Sequence, residues 1–142
     1  MSTADAPMTD LIRELNGALA WELRAEIMYS HYAAYVKGIH RLHLKPFFEG
    51  EATESMVHAK TVREQIVTLG GVATTNRDPS EVVHTTDYRE MLQEAFRTEQ
   101  KAAATYKRIL ELPGLRSEHH DAIEQIAFQE KRSIEELEQM LE

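Results

Sequence analysis

Cysteine is absent from the sequence, and glycine, proline and tryptophan are scarce, with six, four and one residues. Without cysteine the chain cannot form disulfides, thiolate metal sites or iron–sulfur clusters, so any metal ligands must be histidines or carboxylates. No apolar stretch approaches the roughly 20 residues of a membrane span. The first ten residues hold no lysine or arginine, which argues against a signal peptide and a basic DNA-binding arm. We therefore expect a cytoplasmic protein that has no membrane partner.

Basic residues are outnumbered, because 16 lysines and arginines face 24 aspartates and glutamates, for a formal net charge of −8. Such a surplus of negative charge repels the phosphate backbone of DNA or RNA, so nucleic acid is not an expected partner. Carboxylate oxygens with few imidazoles suit iron, manganese or zinc ions. The 142 residues predict one domain, 1–142, with residues 1–8 as a flexible N-terminal segment.

Apolar residues recur at three- and four-residue steps in four stretches, and no stretch alternates as a strand would. Helix boundaries follow from capping residues, prolines and glycines. The four helices are predicted to run from Thr9 or Asp10 to about Lys37, from near Pro46 to Gly70, from after Thr86 to Pro113, and from a Ser117 cap to the end of the chain.

The connections between these helices predict the topology. Short links join the first helix to the second and the third to the fourth, which makes each pair an antiparallel hairpin. The link over residues 72–85 has no apolar periodicity. Fully extended, it can reach about 46 Å, more than the roughly 37 Å length of a 25-residue helix. These features predict an all-α four-helix bundle with one long crossover between its second and third helices.

Each predicted helix carries a glutamate within its apolar stripe. A lone ionised carboxylate in a bundle core costs several kcal/mol unless it is paired or bound to a metal. One such glutamate usually reaches outward to water. A set at one level of the bundle indicates instead a metal site, or failing that a buried polar network. The set comprises Glu22, Glu51, Glu99 and Glu130, with His58 beside them.

The spacing within this set matches a two-metal carboxylate site only in part. That pattern needs a glutamate from two helices and Glu-x-x-His from each of the other two. The second helix reads Ser55-x-x-His58, without the glutamate, and the fourth reads Glu130-x-x-Ser133, without the histidine. One half-site, formed by Glu22, His58 and Glu130, is therefore predicted to be complete.

The other half-site retains Glu99 alone. Glu51 lies one turn before Ser55 on the same face of the second helix, so it can replace the missing carboxylate. The sequence also repeats weakly, since Glu22-x₆-Tyr29 matches Glu99-x₆-Tyr106. Such a repeat predicts two equivalent helices across a pseudo-twofold axis, with the metal site on that axis.

On these residues the chain resembles the ferritin-like superfamily, and within it bacterioferritins and the related Dps-like bacterial ferritins. The resemblance implies a ferritin-like bundle that binds iron, with Glu22, His58, Glu99 and Glu130 at ferroxidase-ligand positions. The matching residues are Leu15-Asn16, Glu22-Leu23, Ala25, Tyr29, Met56-Val57-His58-Ala59, Leu69-Gly70-Gly71, Glu99, Tyr106 and Glu130.

The resemblance also implies cofactors and partners. Tyr29 and Tyr106 become hydrogen-bond or electron donors beside the metal. Met56 stands where bacterioferritins ligate haem across a twofold interface, although a methionine is also a common packing residue. A homo-oligomer of dimers is expected, with a dodecamer or a smaller assembly favoured because the short fifth helix of 24-subunit ferritins is missing. The apolar residues that lie off the inner stripe of the first helix predict the subunit interface: Trp21, Met28, Tyr35 and Ile39.

Three functions stay open at this point. The first is Fe(II) oxidation and iron storage, the second is binding of one non-redox metal such as zinc, and the third is a metal-free structural bundle with protonated or paired carboxylates. The metal content of the purified protein discriminates between them, because the first predicts iron, the second one zinc per chain and the third no bound metal.

Overall fold

A computed structural model describes residues 6–142, with side chains described from residue 8 onward. The described residues form four helices and no strand, which confirms the all-α prediction. Of the predicted flexible segment, residues 1–5 lie outside the described residues, and residues 6–8 are helical. The helices are α1 (Ala6–Tyr35), α2 (Arg41–Thr68), α3 (Tyr88–Glu111) and α4 (Ser117–Leu141).

Two helices begin earlier than the sequence predicts. Helix α1 starts at Ala6, before the predicted caps Thr9 and Asp10. Helix α2 starts at Arg41 and includes Pro46. Proline lacks an N–H group, so within a helix it leaves one carbonyl group of the preceding turn without its partner. The sequence predicts Pro46 at the first helical position, where the missing N–H group has no cost. In the structure α2 begins about one turn before Pro46, so the missing hydrogen bond falls inside the helix.

Capping also differs between α3 and α4. Asp87 caps α3, since its side chain accepts a hydrogen bond from the Arg89 amide at 3.2 Å. Ser117 was predicted to cap α4, but it is the first helical residue. The preceding residue, Arg116, takes the extended cap conformation and makes no side-chain hydrogen bond to the helix.

The apolar core has two parts. One buried cluster includes Tyr29, Phe48 and Met91, and the other includes Leu15 and Ile123. In every helix buried polar residues fall between these two clusters along the chain, and among the described helical residues only Gln65 of α2 and Thr105 of α3 lie within the second cluster instead. The core therefore consists of two apolar halves separated by a polar layer.

The predicted outer face of α1 is correct only in part. Tyr35 and Ile39 are exposed, at 44% and 83%, and Trp21 is half-buried. Met28 is fully buried, which contradicts its predicted place at an interface. Its sulfur accepts a hydrogen bond from the Thr98 hydroxyl of α3 at 3.3 Å, because the packing of α3 on α1 covers a wider face of α1 than one apolar stripe.

The crossover follows α1 along the bundle, as its length predicts. Near its start, the Asn16 side chain donates to the Val72 carbonyl at 3.0 Å. Near its end, the Tyr32 hydroxyl donates to the Val83 carbonyl at 2.7 Å. Asn16 and Tyr32 are sixteen residues apart, or about 24 Å along a helix. The crossover therefore returns the chain to the far end of the bundle, where α3 begins. No described helix has the length and apolar character needed to cross a membrane.

Arg24 fastens the middle of the crossover and is only 4% exposed. Its guanidinium donates to the Ser80 carbonyl at 3.2 Å, the Glu81 carbonyl at 2.5 Å and the Thr98 hydroxyl at 2.7 Å. Burial lowers the pKa of Arg24. The three acceptors compensate for the desolvation of the charged group.

An Arg24→Met variant is expected to lose about 2 kcal/mol of unfolding free energy, because it leaves the two carbonyls without a donor. Urea denaturation followed by circular dichroism measures this loss. Arg13→Met is the matched control, since Arg13 is exposed and forms a surface ion pair with Asp10 at 2.7 Å. Equal stability of the two variants would contradict the role given to Arg24.

Candidate metal centre

Three side chains from three helices meet in the polar layer: Glu22 of α1, His58 of α2 and Glu130 of α4. They are 1%, 3% and 2% exposed. The Nδ1 atom of His58 lies 3.3 Å from Glu22 Oε2 and 3.1 Å from Glu130 Oε1. One ligand atom of each residue lies within 4.8 Å of the other two. The structure thus brings together the half-site that the sequence predicts as complete.

Gln129 orients the histidine and was missed by the sequence analysis. Its Oε1 atom lies 2.6 Å from His58 Nε2. An amide oxygen only accepts hydrogen bonds, so Nε2 carries a proton, and in the neutral imidazole the lone pair is left on Nδ1. That nitrogen faces the two carboxylates. Glu54, 3.6 Å from Nε2, also lies on the outer side of the ring. Gln129 directly precedes Glu130, but no sequence motif marks it.

Two buried carboxylate oxygens have no hydrogen-bond partner within the described part of the chain, Glu22 Oε1 and Glu130 Oε2. The second oxygen of Glu22 accepts from the Tyr106 hydroxyl at 2.6 Å. Unpaired buried acceptors are costly and therefore rare. A divalent cation between these carboxylates and the imidazole would compensate for that cost, so the donor set fits a metal ion.

Glu99 lies on the other side of Glu130. It is 3% exposed, and burial together with the neighbouring Glu130 carboxylate raises its pKa well above the ordinary range. Tyr29 is fully buried nearby, where burial and the charge of Glu99 raise the pKa of its hydroxyl. The Tyr29 hydroxyl does not meet hydrogen-bond geometry with any described residue. Glu99 is not part of the close group formed by Glu22, His58 and Glu130.

Glu51 does not join that group either. It accepts a hydrogen bond from the Ser133 hydroxyl at 3.2 Å. Ser133 occupies the position at which the two-metal pattern has a histidine. Both residues line an open cavity of about 430 Å³ between α2 and α4, together with Glu54, Gln129, Arg132 and Glu136. The second half of the centre is therefore rich in oxygen atoms, lacks an imidazole and is open to solvent.

When no metal is present, three titratable side chains of the polar layer hold their protons to a higher pH than usual. Burial and the nearby Glu99 raise the pKa of Glu51 to about 7. Burial and Glu22 raise that of Glu130 to about 7. Burial alone would lower the pKa of His58, but its hydrogen bonds with Glu130 and Glu22 raise it to about 11. A metal ion must displace these protons to bind.

The metal-free protein is therefore expected to lose stability as the pH rises. The contribution of Glu51 and Glu130 is complete below their ordinary value of 4.5 and is lost up to about 7. That of His58 is complete below 6.5 and is lost towards 11. All three act in one direction, so Tm should fall by about 5 °C or more between pH 5.5 and 8.5.

Scanning calorimetry of chelator-treated protein measures this change. Glu51→Gln is the informative variant, because glutamine does not titrate and should flatten the curve below pH 7. A Tm that rises over the same interval would contradict the protonation pattern.

Two other features lie outside the polar layer. Met56 is 59% exposed and lines an outer groove with Glu22, Leu23, Glu26, Ala59 and Arg63. A separate group of His120, Asp121 and Glu124 lies near the start of α4. It is exposed or half-buried, as expected of residues at a solvated helix end.

Fold and centre together define a four-helix bundle with a buried carboxylate–histidine site. A family model described as a ferritin-like domain matches residues 12–142. The chain belongs to the ferritin-like family, which confirms the resemblance found in the sequence.

Solved structures agree with this assignment. A protein of Bacillus anthracis str. Ames, described as ferritin-like and diiron-carboxylate, is 38% identical over 100% of both chains, with a TM-score of 0.91. A dodecameric thioferritin of Bacteroides fragilis, related to bacterioferritin, is 25% identical over 94% of this chain and 84% of its own, with a TM-score of 0.82. A DPS protein of Vibrio cholerae O1 shares the fold at 18% identity, over 96% of this chain and 91% of its own, with a TM-score of 0.87. No curated protein matches the sequence.

Proposed function

We propose that this protein binds Fe(II) at Glu22, His58 and Glu130 and oxidises it for storage in the cytoplasm. The observation that carries the proposal is the convergence of three buried donors with two unpaired carboxylate oxygens, Glu22 Oε1 and Glu130 Oε2. One imidazole and two carboxylates form a ligand set suited to iron. The Bacillus anthracis relative, described as a diiron-carboxylate protein, supports iron as the substrate.

A second, weaker Fe(II) position is proposed at Glu99 and Glu51, with Glu130 shared between the two positions. Its ligands are oxygens alone, because Ser133 replaces the histidine. Each Fe(II) gives up one electron, and dioxygen or peroxide accepts it. Tyr106, hydrogen-bonded to Glu22 at 2.6 Å, and Tyr29, beside Glu99, are the proposed hydrogen-bond or electron donors.

Stopped-flow absorbance after aerobic addition of Fe(II) tests the oxidation. We expect a rate above that in buffer alone for the wild-type protein and a return to the buffer rate for Glu22→Gln. Equal rates for wild type, variant and buffer would refute Fe(II) oxidation. Iron bound under anaerobic conditions, measured in parallel, separates a loss of oxidation from a loss of binding.

A single non-redox metal, such as zinc, is the second candidate function. Among the described residues, Glu22, His58 and Glu130 form the only fully buried group of three metal-ligating side chains, which favours this alternative. Zinc accepts such a mixed ligand set and has no redox chemistry. Metal analysis of purified protein distinguishes the two functions: one zinc per chain supports this alternative, and two irons per chain refute it.

Assembly and haem complete the proposal. The Bacteroides fragilis relative is dodecameric, and we propose a homo-oligomer of dimers for this chain as well. Exposed apolar residues on the outer side of the bundle provide surface for it, among them Tyr35, Met56 and Val57. Light scattering measures the assembly mass. Haem at Met56 stays a prediction, which the visible absorption spectrum of the purified protein tests.

A further inference from the structure

Two histidines from distant parts of the chain face each other on the surface of the bundle. His31 lies on α1, nine residues beyond Glu22, or about 13 Å along the helix. His84 lies near the end of the crossover. The Nε2 atom of His31 and the Nδ1 atom of His84 are 2.9 Å apart, which is the distance of a hydrogen bond from one ring to the other. This pair lies outside the carboxylate centre, and the proposed function makes no use of it.

The two rings are held in place by a third. Tyr35 packs against both, with ring centroids 4.5 Å from His31 and 4.7 Å from His84. The crossover backbone is fixed beside them, because the Tyr32 hydroxyl donates to the Val83 carbonyl at 2.7 Å. His84 is exposed and His31 is half-buried, so a hydrated ion can reach the pair.

The separation of the two nitrogens suits metal binding. Zinc binds imidazole nitrogen at about 2.0–2.1 Å. Two such ligands at angles of 90–110° lie about 2.9–3.4 Å apart, so the observed 2.9 Å is at the short end of that interval. A metal ion that replaces the shared proton would need the two nitrogens to separate by at most about 0.5 Å. A ligand set of two imidazoles, completed by water, suits zinc, copper(II) and nickel. The buried centre, in contrast, is dominated by carboxylates.

We propose that His31 and His84 form a second metal site, for a borderline divalent cation such as Zn²⁺, that ties the crossover to α1. The two ligands are 53 residues apart in sequence, so only the folded chain brings them together. Binding at this site must therefore stabilise the native state. The carboxylate centre can be removed without touching this pair, so the two sites are separable by experiment.

Zn²⁺ titration calorimetry tests the proposal in a Glu22→Gln background, which removes a donor from the buried centre. We expect the background protein to bind Zn²⁺ and to gain several degrees in Tm from it. His84→Ala, added to that background, should weaken this binding at least about tenfold and abolish the gain in Tm. His31→Ala should act in the same way.

His43→Ala is the matched control, because His43 is an exposed histidine near the start of α2, on another part of the surface. It should leave Zn²⁺ affinity unchanged. The proposal is overturned if His84→Ala binds Zn²⁺ as tightly as the background protein, or if His43→Ala weakens binding equally. Circular dichroism confirms that each variant is folded. Because all variants carry Glu22→Gln, the result does not depend on whether the protein oxidises iron.

Discussion

A Glu22→Gln variant is expected to bind Fe(II) about a hundredfold or more weakly than the wild-type protein, which corresponds to about 2.7 kcal/mol. Glutamine keeps the shape of the side chain and can still accept the hydrogen bond from Tyr106, but it removes one of the two charges that face the metal. The loss is large because the site is buried, where no water molecule replaces a missing charged ligand at low cost. Anaerobic calorimetry with Fe(II) measures the affinity.

Glu26→Gln is the matched control for this variant. Glu26 lies one turn further along α1, is half-buried, and accepts a hydrogen bond from Ser30 at 3.0 Å. Its substitution removes the same charge from the same helix without touching the polar layer. Similar affinities for the two variants would show that net charge, and not the Glu22 carboxylate, governs Fe(II) binding.

A Ser133→His variant is expected to increase the tightly bound metal from one ion per chain to two. Ser133 lies one turn after Glu130, so histidine there completes the Glu-x-x-His motif of α4. The cavity of about 430 Å³ beside Ser133 has room for an imidazole ring. The new ring would face Glu51, which now accepts the Ser133 hydrogen bond at 3.2 Å, and would add the nitrogen ligand that this half of the centre lacks.

Elemental analysis after metal loading and gel filtration measures the number of ions retained. Ser133→Ala is the control, since it frees Glu51 from its hydrogen bond but adds no ligand, and it should retain one ion per chain. A Ser133→His protein that also retains one ion would mean that the missing glutamate at Ser55, and not the missing histidine, limits the second position.

Much of the fold could be predicted because burial repeats with the helical period. The apolar stripe predicted for the first helix is buried throughout, and Glu22 falls on it. Its residues are Leu11, Leu15, Ala18, Ala25, Tyr29 and Tyr32 of α1, and Val36 directly after that helix. The long link between α2 and α3 was equally informative, since its length allows the chain to return along the bundle, which the short links at the other two connections do not. Helix starts were less predictable, because Pro46 is tolerated one turn inside α2 and the sequence alone does not show how far a helix extends before a proline.

Contacts across the bundle were harder to predict. Gln129 contacts His58 at 2.6 Å because of the side-chain conformations on two facing helices, and no spacing rule encodes such a pair. His31 and His84 meet because the crossover follows α1, and this segment has no apolar pattern from which its path could be read. Met28 was placed outside the core for a related reason: the width of the face that α3 covers depends on helix packing, not on the periodicity of α1 itself.

The path of the crossover also bears on how the site is completed during synthesis. Asn16, Arg24 and Tyr32 bind the crossover to α1, so these contacts need only residues up to Val83. In the order of synthesis these residues are all made before α4, and Arg24 gains its remaining acceptor, Thr98, with α3. Glu130 and Gln129 arrive with α4, so His58 receives its orienting partner and its second carboxylate only then. The complete set of Glu22, His58 and Glu130 therefore exists only in chains whose synthesis has passed through the fourth helix.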